Sequence, residues 1–240
     1  MGHFWSPEEE YVPMATTSVP STSAQGASSA TITVTNPFSS VQHLIDDNLL
    51  DGVERVYSTS EAARFFDKSN QWLYWGMRNG IFTYPPDTPL SVDDVVIHRQ
   101  TSARGKVTAI SQKTLTVVWD ASSLEYEVDP SEVFKLITPE RIGKGGRRRF
   151  TLPVIRDIAL SCYWRGNLSE DQYWAVRAES TDPENGSVRK ESWRYNSPEE
   201  AEMARKELVE GNSSVEANIV HCIGLRQILA RIVAAQRGEY

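Results

Sequence analysis

The chain has 240 residues, of which 40% are hydrophobic and 24% are charged, as is typical of a globular protein with one large domain or two or three small ones. No apolar run approaches the roughly 20 residues of a membrane-spanning helix, and the N-terminus lacks the basic start and apolar stretch of a signal peptide, so we expect a cytoplasmic protein without a membrane partner. Cys162 and Cys222 have no ligand-like spacing, which favours buried thiols over a disulfide framework or a zinc site.

Positive charge is concentrated in one short segment. The formal net charge of −7 argues at first against a nucleic-acid partner. However, residues 141–165 contain seven Lys or Arg residues against one acidic residue, a net charge of +6, whereas residues 1–52 contain six acidic residues and no Lys or Arg. A basic island in an acidic chain indicates a specific surface for a polyanion, and the alternative is a solvated basic loop.

The N-terminal region is predicted to be mostly disordered. Residues 15–36 consist almost entirely of Ser, Thr, Ala and other small residues, without Lys, Arg, Asp or Glu. Such a segment has too little apolar surface to bury. We therefore expect residues 1–50 to form an acidic, Ser- and Thr-rich region without a folded core.

The next segment is predicted to contain two helices. Capping-box spacing beginning at Ser58 indicates a short first helix. Asp67 or Ser69 can cap a second helix over residues 70–79, and Gly80 can end it in a left-handed conformation. The two helices are separated by a short turn, which is helix-turn-helix spacing.

Residues 91–137 change to a strand pattern. Short β-branched runs, several of them alternating, are separated by turn residues, which predicts four or five strands. We expect these strands to form a small closed antiparallel barrel, because an open sheet of this size would leave exposed edges.

The C-terminal half is predicted to contain three helices and three strands. A helix begins near Thr151 or Pro153 and ends at Gly166. Strands over residues 174–179 and 188–195 then form a hairpin. The remaining predictions are a helix from Ser197 to Gly211, a strand over residues 217–222 and a final helix with an apolar stripe at Leu225, Ile228, Leu229, Ile232 and Val233. This stripe needs a partner, either the hairpin or a second subunit.

Two blocks, residues 57–82 and 141–172, carry short patterns in a characteristic order. The first has an xxEAA element, an S-x-x-x-L-x-[YW] helix and a closing x-x-G-[LI]-[LF]. The second has G-x-R-x-[YF]-[ST] and then G-x-[ST]-x-[ED]. The matching residues are Ser60, Glu61, Ala62, Ala63, Ser69, Leu73, Trp75, Gly80, Ile81, Phe82, Gly146, Arg148, Phe150, Thr151, Gly166, Leu168 and Ser169, with Glu170 or Asp171 at the last position.

In this order the patterns resemble the DNA-binding domain of MerR-like winged helix-turn-helix proteins, in particular those encoded by phages of actinobacteria. The resemblance implies double-stranded DNA as partner, with the second helix in the major groove and the wing on the flanking backbone. Candidate recognition-helix residues are Ser69, Asn70, Gln71, Tyr74 and Arg78. Candidate wing residues are Lys144, Gly145, Gly146, Arg147, Arg148 and Arg149. Residues of the same helix interpreted as core, with DNA stacking as the alternative for the tryptophans, are Trp72, Leu73, Trp75 and Met77.

The chain departs from this family in the wing. Residues 90–138 stand between the second helix and the wing, so the predicted barrel is inserted there. The insert resembles a KOW- or Tudor-type barrel at Gly105, Val107, Ile110, Val117, Trp119 and Asp120. Its candidate contacts are Arg99, Arg104, Lys106 and Lys113, with a solvated barrel rim as the alternative.

We therefore expect an α+β protein with four regions. Residues 53–89 and 139–170 form a discontinuous winged helix-turn-helix, residues 90–138 an inserted small β-barrel, and residues 171–240 a small C-terminal α+β domain, after the disordered N-terminus. No long dimerisation helix or effector site follows Gly166. The C-terminal domain is instead a candidate surface for a homodimer or a host protein.

The expected function is sequence-specific DNA binding by a phage transcriptional regulator in the cytoplasm of the bacterial host cell. One alternative is an excisionase-like factor that bends DNA, and another is a module that binds a host protein instead of DNA. No catalytic residue, cofactor or metal site is expected. The sequence has no G-x-S-x-G, H-E-x-x-H or G-x-x-x-x-G-K-[ST] motif, and its four histidines lie apart from any nucleophile pattern.

Overall fold

A computed structural model describes residues 55–142, 146–182, 186–211 and 214–239, so the predictions for residues 1–50 lie outside the described part of the chain. Within these ranges the protein is of the α+β class, with five α-helices and three antiparallel sheets. No helix in these ranges is long and apolar enough to cross a membrane. The elements in chain order are β1 (Val56–Tyr57), α1 (Thr59–Arg64), α2 (Asn70–Arg78), β2 (Val95–His98), β3 (Arg104–Ile110), β4 (Leu115–Trp119), β5 (Glu125–Val128), β6 (Val133–Lys135), β7 (Glu140–Ile142), β8 (Arg147–Thr151), α3 (Leu152–Trp164), β9 (Tyr173–Thr181), β10 (Val188–Tyr195), α4 (Pro198–Gly211), β11 (Val215–Cys222) and α5 (Leu225–Gln236).

The first two helices begin at side-chain caps. The Ser58 hydroxyl accepts a hydrogen bond from the Glu61 amide at 3.4 Å, and the Glu61 carboxylate accepts one from the Ser58 amide at 2.7 Å, which confirms the capping box. Hydrogen bonds from Ser58 hold the pKa of Glu61 below its ordinary value. Ser69 caps α2 by accepting from the Trp72 amide at 3.3 Å. Gly80 follows the helix with a φ of +64°, so the predicted helix end is confirmed.

A three-stranded sheet in the order β1-β8-β7 joins the first residues of the described chain to the basic segment. Val56 lies opposite Thr151, and Tyr57 lies opposite Phe150. Phe150 is fully buried, and the Tyr57 ring packs edge-on against Phe65 with the ring centroids 5.3 Å apart. Strand β1 has two residues and no periodicity, so the sequence contains no pattern that predicts it.

The inserted segment forms a five-stranded antiparallel sheet in the order β5-β4-β3-β2-β6. The predicted number of strands is confirmed, but β5 and β6 stand at the two ends of the order, so within the described residues the sheet is open and the predicted closed barrel is not observed. Strand β5 is mostly exposed, and closing it onto β6 would bury little apolar surface. The buried residues of this sheet form a small core of their own: Val96, Val107, Leu115, Val117 and Val133.

The segment after α2 is tied to α3 by polar contacts. The Thr83 amide donates to the Ser161 hydroxyl at 2.9 Å, and the Trp164 indole donates to the Thr83 carbonyl at 3.2 Å. The Tyr84 hydroxyl donates to the Asp157 carboxylate at 2.8 Å. Burial and the nearby Asp157 charge raise the pKa of Tyr84 above its ordinary value. These contacts hold the segment that follows α2 against α3.

The predicted hairpin, helix and strand of the C-terminal region are confirmed as β9, β10, α4 and β11. The sheet order is β10-β9-β11, and α4 packs against this sheet. The N-cap of α4 is Ser197, whose hydroxyl accepts from the Glu200 amide at 3.1 Å.

The apolar stripe of α5 lies in the main hydrophobic core, where α5 packs against α3. The predicted partners, the hairpin or a second subunit, were therefore wrong for this stripe. The shared core crosses the boundary predicted at residue 170, so α5 helps to hold α1, α2 and α3 together. The buried stripe residues are Leu225, Ile228, Leu229 and Ile232.

Candidate nucleic-acid interface

One side of α2 is exposed and the other is packed on the core. Leu73 and Met77 anchor the buried side. The exposed residues, which share the opposite side of the helix, are Asn70, Gln71, Tyr74, Trp75 and Arg78. The predicted recognition residues thus lie together on one surface, except that Ser69 uses its side chain as the N-cap.

The two tryptophans of α2 have different environments. Trp72 packs against Phe66 and Phe82 at centroid distances of 5.3 and 5.2 Å, so its interpretation as a core residue is confirmed. Trp75 is 48% exposed, and its interpretation as a core residue was wrong. Helical spacing could have indicated this, because residue 75 lies on the same side of the helix as residues 71 and 78.

The hairpin formed by β7 and β8 carries arginines on both of its faces. Arg141 lies opposite Arg148, and Glu140 lies opposite Arg149. Side chains alternate along a strand, so Arg147 and Arg149 share one face while Arg148 occupies the other. Accordingly, Arg147 and Arg149 are exposed and Arg148 is partly buried. The three adjacent wing arginines therefore have two different environments.

Gly146 directly precedes β8 in this hairpin. Gly146 has a φ of +57°, a conformation that glycine adopts without steric cost. The predictions for Lys144 and Gly145 fall outside the described residues.

Arg148 connects the hairpin to α2. Its guanidinium lies over the Tyr74 ring, 5.3 Å from the centroid. The Tyr74 hydroxyl in turn accepts a hydrogen bond from the Thr59 hydroxyl at 3.3 Å. Burial, followed by the positive charges of Arg141 and Arg104, lowers the pKa of Arg148. Arg148 thus joins the exposed side of α2 to the basic hairpin.

Among the cationic residues predicted on the inserted segment, Arg99 and Lys106 have contacts within that segment. The Arg99 guanidinium stacks over the Phe134 ring at 4.3 Å. The Lys106 ammonium pairs with the Asp93 carboxylate at 2.7 Å, and Lys113 is exposed in the turn between β3 and β4.

The fourth, Arg104, lines the same pocket as Arg141 and Arg148. Arg104 thereby brings the inserted sheet to the hairpin. Arg141 belongs to the basic island but was not among the predicted site residues. The available signal was strand alternation, because a turn across the glycines places Arg141 beside Arg148 on the same face.

Among the described residues, no group of three or more His, Cys, Asp or Glu side chains is arranged to hold a metal ion.

The chain belongs to a family defined as a domain of unknown function, DUF7229, whose model matches residues 49–122 and 129–180, slightly more than half of the chain. The matched segments include α1, α2, most of the inserted sheet, the basic hairpin and α3. The family domain therefore contains both the helices and the inserted sheet. No curated protein and no solved structure matches the chain significantly.

Proposed function

We propose that this protein binds double-stranded DNA in a sequence-specific manner, with α2 in the major groove and the hairpin of β7 and β8 on the neighbouring backbone. It acts as a transcriptional regulator of the winged helix-turn-helix type, as the MerR-like resemblance implies. The observation that carries the proposal is the contact between Arg148 and Tyr74, which joins the exposed side of α2 to the basic hairpin.

The chemistry of the joined surface supports both parts of this function. Asn70 and Gln71 are exposed in the first turn of α2, and their amides can pair with the edge of adenine in the major groove. Arg147 and Arg149 are exposed on one face of the hairpin, where each can contact a backbone phosphate. The helix therefore supplies base readout, and the hairpin supplies sequence-independent affinity.

The burial pattern of α2 also supports this orientation. A helix that served only as core would hide its aromatic residues, yet Tyr74 is 47% exposed and Trp75 is 48% exposed. Large exposed side chains beside cationic ones are typical of a binding surface. The acidic remainder of the chain restricts contact with DNA to this surface.

The test is a fluorescence-anisotropy titration of the full chain against random and phage-genomic duplexes at two salt concentrations. We expect tight, salt-sensitive binding to a subset of the genomic duplexes. The double variant Arg147→Ala, Arg149→Ala should weaken binding to every duplex and reduce the slope of log affinity against log salt by about 1.8, since each phosphate contact contributes about 0.9.

The matched control is Arg189→Ala, which removes an exposed strand arginine from β10. It should leave both the affinity and the slope unchanged. Absence of binding even at low salt would remove the proposal and leave binding to a host protein as the alternative to be tested.

A further inference from the structure

Three arginines from three strands line one pocket. Arg104 comes from β3 of the inserted sheet, Arg141 from β7 and Arg148 from β8. The pocket is open to solvent, with Met77 and Phe82 among its apolar lining residues. It lies where α2, the hairpin and the inserted sheet meet.

This arrangement is unfavourable in the absence of an anion. Arg141 and Arg148 are direct cross-strand partners, and like charges in that position destabilise a sheet. Arg148 is partly buried, so its charge is incompletely hydrated. Burial together with Arg141 and Arg104 lowers the pKa of Arg148, which is the direction expected for uncompensated positive charge.

Carboxylates in this region provide little compensation. None of the described residues lining the pocket is acidic. Arg104 has a distant ion pair with Asp120, with 3.9 Å between nitrogen and oxygen, and the Asp120 side chain is 68% exposed. Glu140 neighbours Arg141 in sequence, but strand alternation directs it to the opposite face of the hairpin, where it lies across from Arg149.

We infer that this pocket binds one phosphate group, held by the guanidinium groups of Arg104, Arg141 and Arg148. Guanidinium groups present paired N–H donors that match phosphate oxygens, and three of them can surround a single phosphate. On the proposed function, this phosphate belongs to the DNA backbone beside the major groove that receives α2. The inserted sheet then forms part of the DNA-binding surface through Arg104.

The same three arginines would also bind the phosphate of a free phosphorylated molecule. The experiment therefore distinguishes a DNA backbone phosphate from a free one. The full chain is labelled with ¹⁵N-arginine and titrated with inorganic phosphate at constant ionic strength, with chloride as the balancing salt. We expect the side-chain Nε–H signals of Arg104, Arg141 and Arg148 to shift together along one saturating curve. Each signal is assigned by its loss in the corresponding Arg→Ala variant.

Two variants and a control separate binding from folding. Arg104→Ala removes the arginine that the inserted sheet supplies, and Arg148→Lys keeps the charge but removes the paired donors. Both variants should bind phosphate about tenfold or more weakly, while the other signals of the spectrum keep their positions in the folded protein. Arg189→Ala should bind phosphate as the unchanged protein does. Linear, unsaturating shifts equal to those of the Arg189 signal would overturn the inference.

A second titration uses a short DNA duplex in place of phosphate. If the duplex shifts the same three signals and phosphate competes with it, the bound group is a backbone phosphate. If phosphate saturates the signals and the duplex leaves them unmoved, the pocket binds a free phosphorylated molecule. If phosphate does not bind, the DNA proposal is still tested by anisotropy, because the base contacts of Asn70 and Gln71 and the phosphate contacts of Arg147 and Arg149 are made outside this pocket.

Discussion

The guanidinium of Arg231 in α5 donates hydrogen bonds to both carboxylate oxygens of Asp67, at 2.7 and 3.0 Å, across 164 positions of sequence. The same group donates to the backbone carbonyls of Arg64 and Phe65, at 3.0 and 3.2 Å. These carbonyls belong to the last turn of α1, where backbone acceptors lack partners within the helix. Helix α5 therefore caps the end of α1.

Replacement of Arg231 with Ala should lower the free energy of unfolding by about 1 kcal/mol, because it removes a paired ion contact and a helix cap. The expected decrease is small because solvent weakens exposed ion pairs, and the side chains of Arg231 and Asp67 are 29% and 47% exposed. Chemical denaturation measures the change. Arg205→Ala is the control, because its ion pair with Glu202 joins residues three positions apart within α4, and such pairs contribute only about 0.2–0.5 kcal/mol. An equal decrease in the free energy of unfolding in the two variants would contradict the capping role of Arg231.

Gly80 is required both for its conformation and for its close contact with the inserted sheet. A Cβ atom at this position would overlap the Ile97 side chain on β2, and the φ of +64° is costly for any other residue. We expect Gly80→Ala to destabilise the protein by more than about 2 kcal/mol, measured by denaturation.

The matched control for Gly80 is Gly166→Ala. Gly166 also follows a helix with a positive φ, of +74°, but a Cβ there would meet no atom within 4 Å. It should therefore show only the backbone cost, about 1 kcal/mol. The difference between the two variants measures the contact between the end of α2 and the inserted sheet. If both variants lose the same stability, that contact contributes nothing.

Asn70 and Gln71 should determine sequence preference. We expect Asn70→Ala or Gln71→Ala to reduce the discrimination between a preferred and a random duplex by about 1–3 kcal/mol. Anisotropy competition between the two duplexes measures this difference. Arg189→Ala serves as the comparison, because Arg189 is exposed on β10, outside the proposed DNA-binding surface. A uniform loss of affinity for both duplexes would argue against base readout by these amides.

The two cysteines should differ in reactivity. Burial raises the pKa of the Cys162 thiol to about 12, whereas Cys222 is partly exposed. At pH 8, iodoacetamide should modify Cys222 well before Cys162 in the folded protein and both at similar rates in denaturant. Mass spectrometry of the digested protein measures the two rates. Equal rates without denaturant would show that the core around α3 opens readily.

The raised pKa of Cys162 also determines how the free energy of unfolding changes with pH. The Cys162 thiol stays protonated in the folded protein but ionises near pH 9 when the chain unfolds. Its contribution to stability is therefore fully present below about pH 9 and is lost as the pH rises towards 12. Tyr84, whose pKa is also raised, acts in the same direction.

The sequence was informative wherever a few neighbouring residues decide the structure. The Ser58 and Ser69 caps, the helix ends at Gly80 and Gly166 and the strand runs of the insert all depend on contacts within a few positions, or on side-chain alternation. Exposure of Asn70, Gln71 and Arg78 likewise follows from helical periodicity.

Contacts between distant segments had no such local signal. The pairing of β1 with β8, the packing of α5 on α3 and the open edges of the inserted sheet depend on which surfaces meet after folding. Arg104 lies 37 and 44 positions before Arg141 and Arg148, and neither hydrophobic period nor spacing brings them together. Local propensities specify the elements of this protein, whereas burial of the main core places α5 against α3. The meeting of the inserted sheet with the hairpin brings the three arginines to one pocket.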